Sequence, residues 1–251
     1  MSLQNLLTLY DHLQTKDIVY HTSPPTHPKR ASVAAILRYK TYSSSSTVTK
    51  SVPTNFTEFI DSMNKVPGEL ELLFIQRATR ENDIWSGHTA LPGGKREANE
   101  TDIDAAMREV KEEIGLDLHG PDFLYLGKLD DKKIIAMKNN ELMMILVPFV
   151  FLQVVHVTPT LTLQPSEVHA VHWVGLNYLF STPLVDYDPI NRYTVDPNAK
   201  NFEYQDVVLP SLVLPTNETE PVILWGLTLR ITQQLLEFTY SNYDIYSKSR
   251  L

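Results

Sequence analysis

Three carboxylates carry the first sign of chemistry. Glu109, Glu112 and Glu113 stand at i, i+3 and i+4, which on a helix places them on one face. Crowded like charges cost about 0.2–0.5 kcal/mol per pair even when exposed. A hard divalent cation, which takes oxygen ligands, would offset that repulsion. The plainer alternative is a solvated acidic face, with Arg108 and Lys111 as local counter-charges.

The element that must hold these groups is a helix. At about 100° per residue, Ile103, Met107, Val110 and Ile114 fall on one stripe, apart from the carboxylates. Thr101 followed by Asp104 has the form of a capping box, and Asp102 and Asp104 suit the positive end of the helix dipole. Gly115 can end the helix in a left-handed conformation. Before it, Leu91-Pro92-Gly93-Gly94 is a run of turn residues that needs special backbone angles.

Around this centre the chain alternates helix and strand signals. Residues 3–15 carry an amphipathic stripe and predict a helix; the proline-rich stretch 22–30 reads as an extended connector. Strands are expected at Ala31–Tyr39, Leu70–Gln76, Phe123–Lys128, Met143–Val155 and Glu167–Val174, the last running into a short helix at Leu176–Phe180. A buried helix is expected within Val222–Tyr240. The chain divides into an N-terminal helix and connector (1–30), one domain (31–240) and a tail (241–251). Two stretches read as insertions: 41–68, with a helical patch around Phe56–Met63, and 181–221, which has six prolines and no period. Periodicity alone gives a mixed α and β domain.

The stretch Gly94–Leu116 fits G-x5-E-x7-R-E-U-x-E-E-x-G-U, where U is a bulky aliphatic residue. Gly94, Glu100, Arg108, Glu109, Val110, Glu112, Glu113, Gly115 and Leu116 all fall on their positions. This is the Nudix box, and the sequence resembles the Nudix hydrolase superfamily. The resemblance implies an α+β fold, an α/β/α sandwich around a mixed β-sheet, and hydrolysis of a diphosphate with Mg²⁺ or Mn²⁺. It makes Glu109, Glu112 and Glu113 metal ligands beside Gly94, where the backbone must approach closely. It has Arg108 orient a ligand carboxylate and Glu100 support loop and helix. It also makes Glu167 a candidate fourth ligand or base, so that Glu113 or Glu167 would take the proton from the attacking water.

Two further stretches bear on the substrate. Arg77-Ala78 and Gly87 through Pro92-Gly93-Gly94 resemble the segment before the box in the coenzyme A diphosphatase branch, with Leu91 in place of a phenylalanine and a longer spacer lacking its arginine. Trp225-Gly226-Leu227-Thr228 resembles the same branch. The resemblance implies CoA or acyl-CoA as substrate, cut to 3′,5′-ADP and 4′-phosphopantetheine. The 3′-phosphate calls for basic groups, and Arg77, Arg80, Lys95 and Arg96 are candidates. ADP-ribose, a nucleotide sugar or an oxidised dNTP stay open as substrates, as does a nucleotide-binding module without turnover. Trp85 could stack on adenine or simply pack, and His88 is in the same position. His169 and His172, three apart, fall on opposite faces of a strand and so do not read as ligands.

Composition excludes other classes. There is no cysteine, hence no disulfide, thiolate nucleophile or cysteine zinc site. A formal charge of −8 argues against nucleic acid as a bulk partner, since polyphosphate chains are held by basic surfaces. No apolar run is long enough to span a membrane, and residues 1–17 lack the form of a secretory leader. Ser249-Arg250-Leu251 resembles the C-terminal Ser-Lys-Leu address read by the peroxisomal import receptor, so a peroxisomal location is expected. Sequence is silent on oligomeric state.

Overall fold

The computed structural model describes residues 3–23, 29–42, 51–81, 86–135, 141–187 and 209–240. The helix α1 spans Leu3–Thr15, β1 Arg30–Thr41, α2 Phe56–Met63 and β2 Gly68–Arg77. Two short strands follow, β3 at Thr89–Ala90 and β4 at Gly93–Lys95, then the box helix α3 at Asp102–Ile114. Next come β5 at Phe123–Lys128, β6 at Lys132–Ile135, β7 at Leu142–Gln153, β8 at Val168–Gly175 and α4 at Leu176–Ser181. The described chain closes with β9 (Val185–Tyr187), β10 (Leu209–Val213), β11 (Ile223–Trp225) and α5 (Gly226–Thr239).

The central sheet is mixed. β1 runs parallel to β7, with Ala34 opposite Phe149, and antiparallel to β2, with Leu37 opposite Leu72. β4 pairs with the start of β1, β8 and β3 with β2, and β5 and β6 with β7. The middle of β1, Val33–Leu37, and nearly all of β7 are apolar because both of their faces are covered. Ala34, Ile36, Val147, Phe149 and Phe151 face one core with Ala106, Val110 and Ile114 of α3. Their neighbours Ala35, Leu37, Val150 and Leu152 face the other core with Leu6, Leu9 and Leu13 of α1 and Leu229, Leu235 and Leu236 of α5. The period of two thus assigns one layer of helix to each side of the sheet. This is the expected α/β/α sandwich.

Several short elements gave no sign in sequence. The segment 181–221, which shows no period, holds β9 and β10, and with β11 they make a separate three-stranded sheet. These strands are three to five residues long, too short to show alternation in sequence, and β10 carries Pro210. The last helix, Gly226–Thr239, lies within the expected Val222–Tyr240, and a short strand unforeseen in sequence, β11, precedes it. β6 went unanticipated between Phe123–Lys128 and Met143–Val155, for the same reason of length. The 41–68 stretch includes the last residue of β1 and the first of β2. Trp85 and Ser249-Arg250-Leu251 lie outside the described residues. Among the described residues no helix is long and apolar enough to cross a membrane.

Candidate active site

The box helix α3 is fixed at both ends. Thr101 and Asp104 exchange hydrogen bonds in a capping box, each backbone N–H donating to the other side chain at 3.2 Å. Gly115 closes the helix at φ 80°. A loop that sequence reasoning passed over then satisfies the last carbonyls: Thr162 N–H donates to Ile114 O at 3.0 Å and Gln164 N–H to Glu113 O at 2.9 Å. The inward face is turned slightly from the expected stripe. Ala105, Ala106, Val110 and Ile114 are fully buried, whereas Ile103 and Met107 are only partly so. Alanine lets the helix approach the sheet closely, and that rotation carries Glu109 and Glu113 inward against β4.

Glu113 is 3 % exposed, and its Oε2 accepts the Gly93 N–H at 2.8 Å. Burial pushes its pKa up to about 8; the charges of Glu109 and Glu167 push the same way, against the Gly93 N–H and Arg77. Glu109 packs its carboxylate on Gly94, so closely that a Cβ there would lie 2.3 Å from the Glu109 carboxyl carbon. Its pKa is raised by burial, opposed by Arg108 and aided by Glu112 and Glu167. Glu112 is the outermost of the three, its side chain 57 % exposed.

Arg108 organises this cluster. Its guanidinium takes Glu100 in a fork, Nε to Oε2 at 3.1 Å and Nη2 to Oε1 at 2.9 Å. Nη1 reaches Glu109 and Glu112 at 3.0 Å each, and Nη2 also donates to the Lys95 carbonyl at 3.0 Å. Glu100 is held below the usual carboxylate range by Arg108, and it accepts the Glu97 N–H as well. Loop, helix and ligand carboxylates are thus tied through one side chain.

Glu167 stands just before β8. Its Oε1 pairs with Arg80 Nη2 at 3.1 Å, both side chains about two-fifths exposed, and its carbonyl accepts the Ala78 N–H at 2.8 Å. It is near enough for its charge to be felt at Glu109 and Glu113. Arg77 ends β2 and its charge reaches Glu113. The structure therefore brings together Gly94, Arg108, Glu109, Glu112, Glu113, Glu167, Arg77 and Arg80. Lys95 is exposed at the end of β4. Arg96 is engaged elsewhere: it pairs with Asp102 at 3.2 Å, beside Arg30, which holds Asp102 at 2.7 Å. Its candidacy for a substrate phosphate is weakened by that internal pair. His88 packs edge-on against Trp225 at 4.9 Å between ring centres. His169 is exposed and His172 half-buried on β8; neither joins the carboxylates.

One feature of the site was not anticipated. A cavity of about 190 Å³ opens between the sheet and α5, with Arg77 and Gly93 on its wall and Leu227, Thr228 and Ile231 contributed by α5.

The residues fit a divalent cation. A buried and a partly buried carboxylate, Glu113 and Glu109, both with raised proton affinity, mark an excess of negative charge, and glutamate oxygens are the ligands Mg²⁺ and Mn²⁺ prefer. Among the described residues no three acidic or histidine side chains are gathered as a finished cage, and Arg108 Nη1 occupies an oxygen of both Glu109 and Glu112.

The family model for the NUDIX domain matches residues 63–195, more than half of the chain. The chain belongs to the Nudix family. A Schizosaccharomyces pombe protein, the uncharacterized protein C14C4.10c, is 34 % identical over 157 residues, 61 % of this chain and 44 % of that one. This Nudix chain thus matches under half the length of that relative. Among solved structures, a Caenorhabditis elegans Ap4A hydrolase is similar at 14 % identity and TM-score 0.37, covering 59 % of this chain and 80 % of that one. The Nudix domain of Shewanella oneidensis NrtR, solved with ADP-ribose, is similar at 15 % identity and TM-score 0.38, covering 73 % and 93 %. Likeness at that level is too distant to bear on substrate.

Proposed function

We propose that this Nudix chain is a pyrophosphohydrolase that cuts the diphosphate of CoA or acyl-CoA, giving 3′,5′-ADP and (acyl-)4′-phosphopantetheine. The observation that carries hydrolysis is the pairing of Glu113, buried on the Gly93 N–H, with Glu109 packed on Gly94. The CoA assignment rests on the resemblance of Arg77–Gly94 to the CoA branch.

Glu109, Glu112 and Glu113 would hold Mg²⁺ or Mn²⁺. Such a cation supplies neutralisation of the diphosphate and a water of lowered pKa. The chain's own residues do the rest. Glu113 or Glu167 takes a proton from the attacking water as its oxygen bonds to phosphorus. The bridging P–O bond breaks and its electron pair leaves on the second phosphate. Arg108 keeps Glu109 and Glu112 in register, and Arg77 and Arg80 offer positive charge to the phosphates on the side of Glu167.

Incubating the protein and Mg²⁺ with CoA, 3′-dephospho-CoA, ADP-ribose and a nucleotide sugar, with products read by mass, tests the assignment. The expected result is highest kcat/KM for CoA, with 3′,5′-ADP as product. If ADP-ribose or the nucleotide sugar exceeds CoA tenfold, about 1.4 kcal/mol of transition-state preference, the CoA reading is wrong.

A further inference from the structure

The cavity beside Gly93 carries more than the box does. Its wall is built from Val33, Leu91, Ile134, Leu146, Leu227 and Ile231, all aliphatic. At about 190 Å³ it is somewhat larger than the engineered apolar cavity of about 150 Å³ that takes up benzene. Polar groups are few. Thr228 lines it, but its hydroxyl already donates to the Thr89 carbonyl at 3.3 Å. Arg77 stands on the wall, and its charge reaches Glu113.

Position limits what can enter. Gly93 lines the cavity and also donates its N–H to Glu113. A diphosphate held at Glu113 is therefore one residue away, and any group in the cavity must hang from the phosphate by a short link. A nucleobase or ribose placed there would bury ring nitrogens or hydroxyls among aliphatic side chains with little to pair them. An aliphatic group loses nothing by the transfer and gains by leaving water.

We propose that this cavity is the subsite for a branched aliphatic group carried close to the substrate's diphosphate. The gem-dimethyl carbon of a pantetheine arm, one methylene from the phosphate ester oxygen, has this chemistry. The proposal rests on the diphosphohydrolase reading and deepens it: the cavity, beside the box, selects the pantetheine side of the anhydride against a sugar.

3′-Dephospho-CoA and ADP-ribose share the adenosine diphosphate half and differ in the other ester, branched alkyl against ribose. Their kcat/KM ratio should be measured for the wild type, for Ala90→Phe, which fills the cavity from β3, and for Leu227→Asn, which makes its α5 wall polar. The ratio is expected to favour dephospho-CoA at least tenfold in the wild type and to fall below about threefold in both variants, mainly through KM for dephospho-CoA. ADP-ribose turnover reports that each variant is folded, and the second variant serves if the first does not fold. A preference that survives in folded variants overturns the subsite while leaving the hydrolase reading intact. Equal wild-type rates on both substrates do the same. A wild type that cleaves neither overturns both.

Discussion

Glu113→Gln is expected to lower kcat by about a hundredfold to ten-thousandfold at saturating Mg²⁺, the range associated with loss of a general base. The same substitution should leave the metal-free protein as stable as the wild type or more so. Glutamine keeps an oxygen for the Gly93 N–H and removes a charge that is almost wholly buried. The sign of the pH dependence follows from the raised pKa. Without metal, the folded state binds the Glu113 proton more tightly than the unfolded chain does. Stability present at low pH is therefore lost as pH rises from the ordinary value of 4.5 through about 8. The variant's advantage in Tm should thus grow across that window. Near-wild-type turnover in a folded variant would remove Glu113 from the chemistry.

The two glycines before the box should respond in opposite ways. A Cβ on Gly94 meets the Glu109 carboxylate at 2.3–2.5 Å, the far end of a side chain that can swing away. Gly94→Ala is therefore expected to fold with little change in Tm but to lose roughly a hundredfold in kcat, since misplacing a catalytic group by about 1 Å costs that much. Gly93 has φ 146°, and a Cβ there would lie 2.2 Å from the Ser32 carbonyl and 2.6 Å from Val33 Cα. Backbone in the middle of a sheet cannot give way, so Gly93→Ala should cost on the order of 3 kcal/mol, a drop of roughly 10 °C in Tm. Calorimetry alongside steady-state kinetics separates the two. Equal effects of both substitutions on Tm would contradict the geometry.

The box helix was legible because its signals are local: Thr101, Asp104 and Gly115 act within a few residues of themselves, and the structure shows each in its expected role. What was missed is non-local. Gly93–Lys95 reads as a turn from its glycines, yet it is a strand, because Ala31–Val33 of β1 lie alongside to pair with it. The turn of α3 that buries Glu113 follows from the closeness that Ala105 and Ala106 permit, which a hydrophobic stripe ranks below Ile103 and Met107. Arg96 looked available from its neighbours in sequence, but its partner Asp102 sits in a network with Arg30, far away along the chain. The apolar cavity draws on β1, β2, β3, β4, β6, β7 and α5, and no single stretch announces it.

Phosphorus NMR of CoA incubated with the protein, once with Mg²⁺ and once with a chelator, shows whether these carboxylates run a metal-dependent cleavage of its diphosphate. With Mg²⁺ the diphosphate resonances should be replaced by those of two phosphomonoesters, and they should persist with the chelator or with Glu113→Gln. Diphosphate left intact with Mg²⁺, or cleaved equally well under chelation, would contradict metal-dependent cleavage by these carboxylates.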